Sequence, residues 1–275
     1  MAKILVTGAT GFIGSAIVEE LERRGHEVRK ASRSSGDIQV DLTFVEEVEK
    51  LPGVDVVINA AGTGDINGPG KDKGEWDELN TGAVENLAER YENVHFIQVS
   101  SLAAMGLEGS YYREAEPKPV LPYSRSKKEA EDTVKQNFEN YTIIRPGEVF
   151  DEENIPGMLG LFSYFRIIPT NGRKTPAIGI AKLAELVAET VEGEIESPVL
   201  AAREYKPSGI LQDAGRLGSR SYQLTIPNFV IGYLGYTGEI LRNIGFRVPG
   251  IVRARSIMSY QKVERQEKVD SVLED

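Results

Sequence analysis

A glycine-rich turn directly after the first apolar run restricts the fold of this chain more than any other feature of the sequence. Lys3–Thr7 has the composition of a buried strand, and Gly8, Gly11 and Gly14 follow it at intervals of three residues. Apolar residues then recur at every fourth position as far as Leu21, which is the spacing of an amphipathic helix. A strand, a glycine turn and a helix in this order predict a phosphate-binding turn, because the glycines allow the backbone to approach the phosphates at the helix N-terminus.

Strand and helix patterns alternate from this turn to about residue 145. Alternation of this kind predicts parallel strands joined by right-handed crossovers, and therefore an α/β fold with a Rossmann-type doubly wound parallel sheet. The later strands are predicted at Glu27–Ala31, Ile38–Val40, Val54–Ile58, Val94–Val99 and Thr142–Ile144, and the later helices at Glu75–Arg90 and Ser124–Phe138. Thr43 and Glu46 have the spacing of a capping box before one further short helix.

The alternation weakens after Pro146. Helical patterns at Ala181–Val191 and Phe229–Ile244 lie between segments rich in Gly and Pro. We therefore expect a dinucleotide-binding domain over residues 1–150 and a smaller C-terminal substrate lobe over residues 151–275, with a chain that can cross back between them.

Composition and charge exclude several classes of function. The formal net charge of −10 argues against nucleic acid as a partner, because phosphate backbones are bound by surplus Lys and Arg. The chain has no Cys and only two His, so it is expected to bind no metal ion. No apolar stretch is long enough to span a bilayer, and the short apolar run after Met1 does not have the length of a signal-peptide core, so we expect a cytoplasmic protein.

Tyr123 and Lys127 are the strongest candidates for proton transfer. They stand four residues apart on a predicted helix and so share one face. A free phenol has a pKa of ~10, and a nearby ammonium lowers that pKa, so the pair can exchange a proton with an alcohol or a carbonyl. Ser100 and Ser101 end the strand before them, at the sheet edge where such folds bind ligands, and a hydroxyl there can hydrogen-bond the reacting oxygen.

These segments together resemble the extended short-chain dehydrogenase/reductases, the NAD(P)-dependent epimerase/dehydratase family. The resemblance covers the whole chain and is strongest to about Phe150. It implies hydride transfer at an alcohol or keto carbon of a sugar, with a nucleotide sugar as the small-molecule substrate. The catalytic residues that it implies are Ser101, Tyr123 and Lys127.

The resemblance also implies a cofactor site. In the resembled family, Asp41 and Leu42 match the pair that contacts adenine, the segment 59–62 matches the loop under the adenosine ribose, and the segment 145–150 flanks the nicotinamide. With the glycine turn, the expected cofactor-binding residues are Gly8, Thr10, Gly11, Phe12, Ile13, Gly14, Ser32, Arg33, Asp41, Leu42, Ala60, Ala61, Gly62, Val99, Ser100, Tyr123, Lys127, Pro146 and Val149.

The end of the second strand favours NADP, with NAD as the alternative. NAD-specific sites usually place an acid there to accept hydrogen bonds from the ribose 2′-hydroxyl. This chain has Ser32 and Arg33 instead, and both can donate to a 2′-phosphate. Asp37 follows four residues later and could approach the ribose, which keeps NAD open.

The choice among the reactions of the resembled family is narrowed by residue types that this chain lacks. Leu102 and Ala103 cannot move protons, which disfavours dehydration, and the absence of Cys disfavours the epimerisation at carbons 3 and 5 that commonly relies on one. Net reduction and 4-epimerisation remain. The family's usual residues are replaced at Met105, Glu148 and Asp151, which leaves the substrate open.

Three further expectations concern the whole molecule. A catalytically idle dinucleotide-binding subunit on this scaffold is one alternative. A reductase of lipid-like or phenolic ketones is another, suggested by Met105, Leu159, Phe162 and Phe165 near the expected pocket. We also expect a homodimer formed through the helices Glu75–Arg90 and Ser124–Phe138, with an apolar part drawn from Ala83, Leu87, Val134 and Phe138.

Overall fold

The structure is a computed structural model, and it describes residues 1–62, 78–106, 110–111, 113, 115–119, 122–155, 159, 167–170, 174–193, 195, 197–216, 222–225, 262–263 and 270. The strands are β1 (Lys3–Thr7), β2 (Glu27–Ser32), β3 (Ile38–Gln39), β4 (Val56–Asn59), β5 (His95–Val99), β6 (Ser110–Tyr111), β7 (Tyr141–Pro146), β8 (Glu148–Phe150), β9 (Ile167–Thr170), β10 (Thr175–Gly179), β11 (Val199–Ala201), β12 (Arg203–Tyr205), β13 (Tyr222–Thr225) and β14 (Lys262–Val263). The α-helices are α1 (Phe12–Arg23), α2 (Val45–Val48), α3 (Ala83–Arg90), α4 (Pro122–Asn137), α5 (Ile180–Glu192) and α6 (Pro207–Asp213). A π-helical turn at Glu78–Gly82 precedes α3, and a 3₁₀ turn at Leu102–Met105 follows β5.

Seven strands form one sheet in the order β11-β7-β5-β4-β1-β2-β3, and every neighbouring pair in it is parallel. The order reverses at β1, so β2 and β4 lie on either side of it. This confirms the predicted doubly wound α/β fold. The reversal opens a crevice beyond the carboxyl ends of β1, β2 and β4, which is where such sheets bind ligands.

Both faces of the sheet are covered, as the apolar strands require. Along β1, Ile4 and Val6 point into the core beneath α1 and α5, whereas Leu5 points into the core beneath α2, α3 and α4. The strand period of two therefore divides one apolar run between two cores. The sheet is held from both sides, and its carboxyl edge is a rigid base for the site.

Helix α5 and strand β11 return to the large sheet from beyond residue 150. Helix α5 packs against α1, where Arg24 donates to Glu20, Glu189 and Glu192 at 2.6–2.8 Å. Strand β11 pairs with β7. The boundary near residue 150 stays a prediction.

Some predicted elements differ from the observed ones. The capping box is wrong: α2 begins after Phe44, and the Thr43 hydroxyl donates to Asp41 Oδ1 at 2.8 Å because it is held in a turn with that carboxylate. Of the helix predicted at residues 75–90, the described part starts as the π-helical turn and becomes α-helical at Ala83. The helix predicted at Phe229–Ile244 lies outside the described residues.

Four residues proposed for a dimer contact are core residues instead. Ala83, Leu87, Val134 and Phe138 are each at most 3% exposed, and all four pack in the core beneath α3 and α4. They are buried because their helices turn their apolar faces to the sheet. The apolar contact predicted for them is therefore wrong, whereas the dimer itself stays a prediction.

Candidate active site

The glycine turn is shaped so closely that side chains are excluded from two of its positions. Gly8 has φ of +66°, and a Cβ there would lie 2.7 Å from the backbone nitrogen of Ala61. A Cβ on Gly14 would lie 2.1 Å from the Gly8 carbonyl oxygen. The turn after β1 is thus pressed against both the loop after β4 and the first turn of α1.

The N-terminus of α1 faces this turn with backbone donors available to a ligand. Its N-cap is Gly11, which offers no side chain to the first N–H groups, and the first turn has no acidic residue. Phe12 is partly exposed, and Ile13 is half-buried. The positive end of the helix dipole is therefore open to a phosphate, which is the chemistry the glycine pattern implies.

A cleft of about 220 Å³ begins at this turn and runs along the carboxyl ends of β1, β2 and β4. It brings together ten of the predicted cofactor residues, with Thr43, Leu79 and others completing the wall. The ten are Gly8, Thr10, Gly11, Ser32, Arg33, Asp41, Leu42, Ala60, Ala61 and Gly62.

Ser32 and Arg33 lie side by side at one end of the cleft, but only Arg33 has hydrogen-bond donors available to a ligand. The Ser32 hydroxyl donates to the Ser35 carbonyl oxygen and accepts from the Ser35 N–H, so its hydrogen is already used within the turn. The expectation that Ser32 donates to a 2′-phosphate is therefore wrong for this conformation. Arg33 is exposed, and among the described residues its guanidinium makes no hydrogen bond or ion pair.

Asp37, the residue that kept NAD open, is directed elsewhere. Its Oδ2 accepts from the Lys30 backbone N–H at 3.1 Å, and it does not line the cleft. The carboxylate that does line the cleft is Asp41, whose Oδ1 accepts from the Thr43 N–H at 3.0 Å. The neighbouring Leu42 is fixed through its carbonyl, which accepts from Asn86 Nδ2 at 2.8 Å.

A buried polar chain crosses the strand ends beneath the cleft. Asn59 Oδ1 accepts from the Thr7 hydroxyl at 2.6 Å and from the Ala61 N–H at 3.2 Å, and its Nδ2 donates to Gln98 Oε1 at 2.9 Å. These bonds join β1, β4 and β5 at their carboxyl ends. They fix the loop 60–62 that forms one wall of the cleft.

The junction between the carboxyl end of β5 and helix α4 carries the three predicted catalytic residues. Ser101 directly follows that strand, and the 3₁₀ turn that it caps packs against α4, the helix of Tyr123 and Lys127. Ser101 Oγ accepts from the Ala103 N–H at 3.1 Å, which leaves the hydroxyl hydrogen for another acceptor. Tyr123 is half-buried one helical turn before Lys127.

Lys127 points from α4 into this junction. Its Nζ donates to the Val99 carbonyl oxygen at 3.4 Å and lies 3.1 Å from the point where a side chain on Gly62 would begin. Burial lowers the pKa of Lys127 to about 8, and the Glu131 carboxylate opposes that shift. The ammonium is thus close both to the cleft and to the end of β5.

Sequence reasoning missed two polar residues that support this helix. Asn80, buried in the π-helical turn, donates to Ser126 Oγ at 3.0 Å, and the Ser126 hydroxyl donates to the Tyr123 carbonyl oxygen. The sequence signal that could have identified them is a polar residue on the inward face of each predicted helix. A π-helical turn at such a place is a common mark of a functional site.

Sequence reasoning also missed Glu131, and the structure changes the roles of two neighbours. Ser100, expected to touch the cofactor, donates to Glu131 Oε1 at 2.6 Å, and Arg145 donates to both oxygens of the same carboxylate. Met105, expected near the substrate, is buried, and its sulfur accepts from Arg145. That expectation is wrong for Met105, because the residue packs in a small core with Leu102.

The remaining predicted residues flank the junction. Pro146 ends β7, where it is buried and pairs with Ala201, and Val149 is half-buried in β8 and pairs with Ile178. Neither lines the cleft. Phe162 and Phe165, which were expected near an apolar pocket, lie outside the described residues.

Two negative observations concern only the part of the chain that the structure describes. Within it, no cluster of His, Asp and Glu has the arrangement of a metal site. Within it, too, every helix is too short or too polar to cross a bilayer.

Comparison with curated proteins finds partial matches. The mouse (Mus musculus) epimerase family protein SDR39U1 is 38% identical over 95 residues, which cover 34% of this chain and 30% of that protein. The probable low-salt glycan biosynthesis reductase Agl14 of Haloferax volcanii is 32% identical over 158 residues, 53% of each chain. These matches span about a third to a half of the length of the relatives.

Solved structures share the fold over most of the chain. Human SDR39U1 with NADPH has a TM-score of 0.70 at 21% identity, and the match covers 98% of this chain and 93% of that one. A dTDP-4-dehydrorhamnose reductase from Clostridium acetobutylicum has a TM-score of 0.69 at 17% identity, with 95% and 90% covered. The UDP-glucose 4-epimerase of Thermus thermophilus with NAD has a TM-score of 0.64 at 22% identity, with 82% and 86% covered.

A family profile matches more of the sequence than either curated relative. The profile describes the RmlD substrate binding domain, and it matches residues 2–160, more than half of the 275 residues. The matched segment includes the glycine turn, the cleft and the junction of Ser101, Tyr123 and Lys127. The chain belongs to the RmlD substrate-binding-domain family of extended short-chain dehydrogenase/reductases.

Proposed function

We propose that this protein is an NADP-dependent oxidoreductase that reduces a keto group of a sugar carried on a nucleotide. The observation that carries the cofactor choice is the exposed Arg33 guanidinium at the rim of the cleft, next to the turn fixed by Ser32. A planar guanidinium can bind a 2′-phosphate through two parallel hydrogen bonds. Asp37, the acid that would favour NAD, is engaged by the Lys30 N–H instead.

The described residues fit a dinucleotide along the whole cleft. The glycine turn and the α1 N-terminus would hold the pyrophosphate, because Gly8 and Gly14 leave no room for side chains and the helix end has unpaired donors. Asp41 and Leu42 would contact the adenine, and Ala60–Gly62 would lie under the ribose. Lys127, beside Gly62, would then stand near the nicotinamide half.

The chain's own residues supply the proton chemistry. Tyr123 would give its phenolic proton to the carbonyl oxygen of the substrate, and the Lys127 ammonium would stabilise the phenolate that remains. Ser101 would donate its hydroxyl hydrogen to the same oxygen, because its Oγ accepts from the Ala103 N–H and that bond leaves the hydrogen available. The bound nicotinamide supplies the hydride that reduces the carbonyl carbon.

Net reduction is favoured over the other reactions of the family on two grounds. Leu102 is buried and apolar, and Ala103 has no functional group, so neither can serve as the acid or base that expels water. An NADP site suits a reductase, because an epimerase regenerates its cofactor and commonly keeps NAD. Agl14 and the Clostridium protein are named as reductases, which is consistent with this choice.

The nucleotide-sugar substrate is supported by the names of the relatives. The Clostridium and Thermus proteins act on sugars linked to dTDP and UDP. A catalytically idle subunit is the competing reading, and the presence of Ser101, Tyr123 and Lys127 together favours an enzyme.

The proposal is tested by titrating NADPH and NADH into the protein and into Arg33→Ala, with nicotinamide fluorescence as the readout. We expect the parent to bind NADPH more tightly, and Arg33→Ala to lose roughly 10–100-fold in NADPH affinity, as loss of a charge-assisted hydrogen bond of ~1.5–3 kcal/mol requires. NADH affinity should change little.

Arg29→Ala is the matched control. Arg29 lies on β2, the strand that Arg33 directly follows, is exposed, and is paired with Glu27 at 2.9 Å outside the cleft. Its removal should leave both affinities unchanged. Equal affinities of the parent for NADPH and NADH, unaltered by Arg33→Ala, would contradict the NADP assignment.

A further inference from the structure

Three charged side chains are buried among the described residues, and they lie together. Glu131 is 0% exposed, Arg145 is 1% exposed and Lys127 is 7% exposed. Glu131 and Lys127 are on α4, and Arg145 is on β7, next to β5. The charge buried in the described part of the fold is therefore concentrated at the catalytic junction.

Glu131 is the centre of this cluster. Its Oε1 accepts from Ser100 Oγ at 2.6 Å and from Arg145 Nε at 2.9 Å, and its Oε2 accepts from Arg145 Nη2 at 2.6 Å. One carboxylate thereby joins the catalytic helix to β5 and to β7. Ser100 is the residue directly before Ser101, so this link reaches the end of the strand that presents the catalytic hydroxyl.

Stability alone does not account for such a group. Moving two charges out of water costs several kcal/mol per ion, and a buried pair can often be replaced by apolar residues without loss. The alternative use of a buried polar link is to fix one arrangement of the elements that it joins. Here those elements are α4 and the end of β5, whose relative position sets the distance between Ser101 and Tyr123.

Helix geometry adds a second connection. Tyr123, Lys127 and Glu131 follow each other at intervals of four residues, so they share one face of α4 with ~6 Å between successive levels. The carboxylate of Glu131 thus lies one turn beyond the Lys127 ammonium. Tyr123 lies one turn before it.

We propose that Glu131 is a positioning residue for the reaction: it holds the Ser100–Ser101 end of β5 against α4, and its negative charge keeps the Lys127 ammonium protonated. This inference rests on the proposed function. Glu131 itself touches neither substrate nor cofactor in this arrangement. It acts through Ser101 and Lys127.

The surrounding charges agree with this role. Of the described elements that pack against α4, β7 contributes Arg145, and β5 contributes His95, whose Nε2 is bonded to Thr142 at 2.9 Å. The 3₁₀ turn contributes no charged side chain. The π-helical turn and α3 contribute only charged residues that are exposed or half-buried, namely Glu78, Glu85, Glu89 and Arg90. Removal of Glu131 would therefore leave two buried cations with no buried anion beside them.

The charge is tested by measuring the pKa of Lys127 directly, from the ¹³Cε shift of labelled lysine, with the resonance assigned through Lys127→Met. In the parent we expect a value of about 8. Glu131→Gln keeps the shape of the side chain but removes its charge, so the pKa of Lys127 should fall by roughly one unit or more. Glu131→Asp keeps the charge and should stay within a few tenths of a unit of the parent.

Two controls separate this role from a loss of stability. Val187→Ala opens a cavity in the core beneath α5, on the other face of the sheet, and should lower the melting temperature without moving the pKa of Lys127. If Glu131→Gln does not fold, it is made together with Arg145→Gln. Loss of the Arg145 cation by itself raises the pKa of Lys127, so this double variant is compared with Arg145→Gln alone and should show a lower pKa of Lys127. A pKa of Lys127 that is unchanged in Glu131→Gln relative to the parent, or in the double variant relative to Arg145→Gln, would overturn the proposal.

The proposal that Glu131 positions the catalytic groups is tested by measuring NADPH oxidation with a nucleotide-linked keto sugar. We expect Glu131→Gln and Glu131→Asp both to lower kcat by roughly 10-fold or more while the KM for NADPH stays within about twofold, because the cleft around the glycine turn does not include Glu131. An unchanged kcat in both variants would refute it. The titration of Lys127 needs neither substrate nor cofactor. A parent protein that fails to bind NADPH would therefore refute the proposed function, but it would not affect the conclusion about the charge of Glu131.

Discussion

Replacement of Gly14 by Ala tests whether the glycine turn is as tightly closed as its geometry indicates. The added Cβ would lie 2.1 Å from the Gly8 carbonyl oxygen and 2.8 Å from the Gly8 carbonyl carbon. Both atoms belong to the backbone, so neither can rotate away. The first turn of α1 must retreat from the loop by roughly 1 Å to reach ordinary contact.

The expected cost can be estimated from two opposing terms. Overpacking of this kind costs ~1–3 kcal/mol, whereas Ala is up to ~1 kcal/mol better than Gly inside a helix. Because the contact is with immobile backbone, we expect a net loss of ~2 kcal/mol and a fall in Tm of roughly 4–8 °C. The displaced amides should also weaken NADPH binding by at least ~10-fold.

The assay is thermal unfolding with and without NADPH, together with fluorescence titration of the cofactor. Gly53→Ala is the matched control, because Gly53 is exposed and a Cβ there would meet nothing within 4 Å. If Gly14→Ala and Gly53→Ala have the same Tm and the same NADPH affinity, the close packing of the turn does not hold the site.

Two further predictions concern stability and assembly. The hydrogen bond from Arg23, with help from Arg24, lowers the pKa of Glu20 to about 2, so the stability that Glu20 contributes is present above its unfolded pKa near 4.5 and is lost as the pH falls towards 2. The urea midpoint of Glu20→Gln should therefore lie below that of the parent at pH 6, and the two midpoints should converge as the pH falls towards 2. Glu19 is exposed, so the midpoint of the control Glu19→Gln should match that of the parent at every pH. A difference in midpoint between Glu20→Gln and the parent that is the same at every pH would be inconsistent with this linkage. We also expect a homodimer, now through the charged outer faces of α3 and α4, and light scattering that gives a monomer mass at every concentration and at low salt would rule it out.

The sequence predicted the sheet, the glycine turn and the helix that carries Tyr123 and Lys127 because each depends on local spacing. A strand followed by Gly8, Gly11 and Gly14 can fold in few ways, and Tyr123 and Lys127 share a helix face whatever surrounds them. These features follow from periods of two and 3.6 residues, which are visible in one sequence.

The parts that the sequence did not reveal depend on contacts between distant segments. Ser100 looked like a cofactor contact until Glu131, 31 residues later, was found to accept its hydrogen. Ser32 looked like a phosphate donor until the Ser35 carbonyl was found within its reach. A hydroxyl has one hydrogen to give, and only the folded chain decides which acceptor receives it.

The same limit explains the error about the helices α3 and α4. Their apolar residues were divided between a partner and the core without knowledge of how the helices are rotated on the sheet. Leu87 and Val134 are 0% exposed because that rotation turns them inward. The charged residues left outside are the surface that a second copy would meet.

The central claim is that Tyr123 transfers the proton in an NADPH-dependent reduction. It is tested most directly by following NADPH oxidation by the parent and by Tyr123→Phe across a panel of nucleotide-linked keto sugars, with NADPH affinity measured for both proteins. We expect the parent to turn over at least one of these substrates, and the variant to lose at least ~10²-fold in kcat with NADPH affinity within about twofold of the parent. Turnover by Tyr123→Phe within a few-fold of the parent, or a parent that binds NADPH and oxidises it with no member of the panel, would contradict the account.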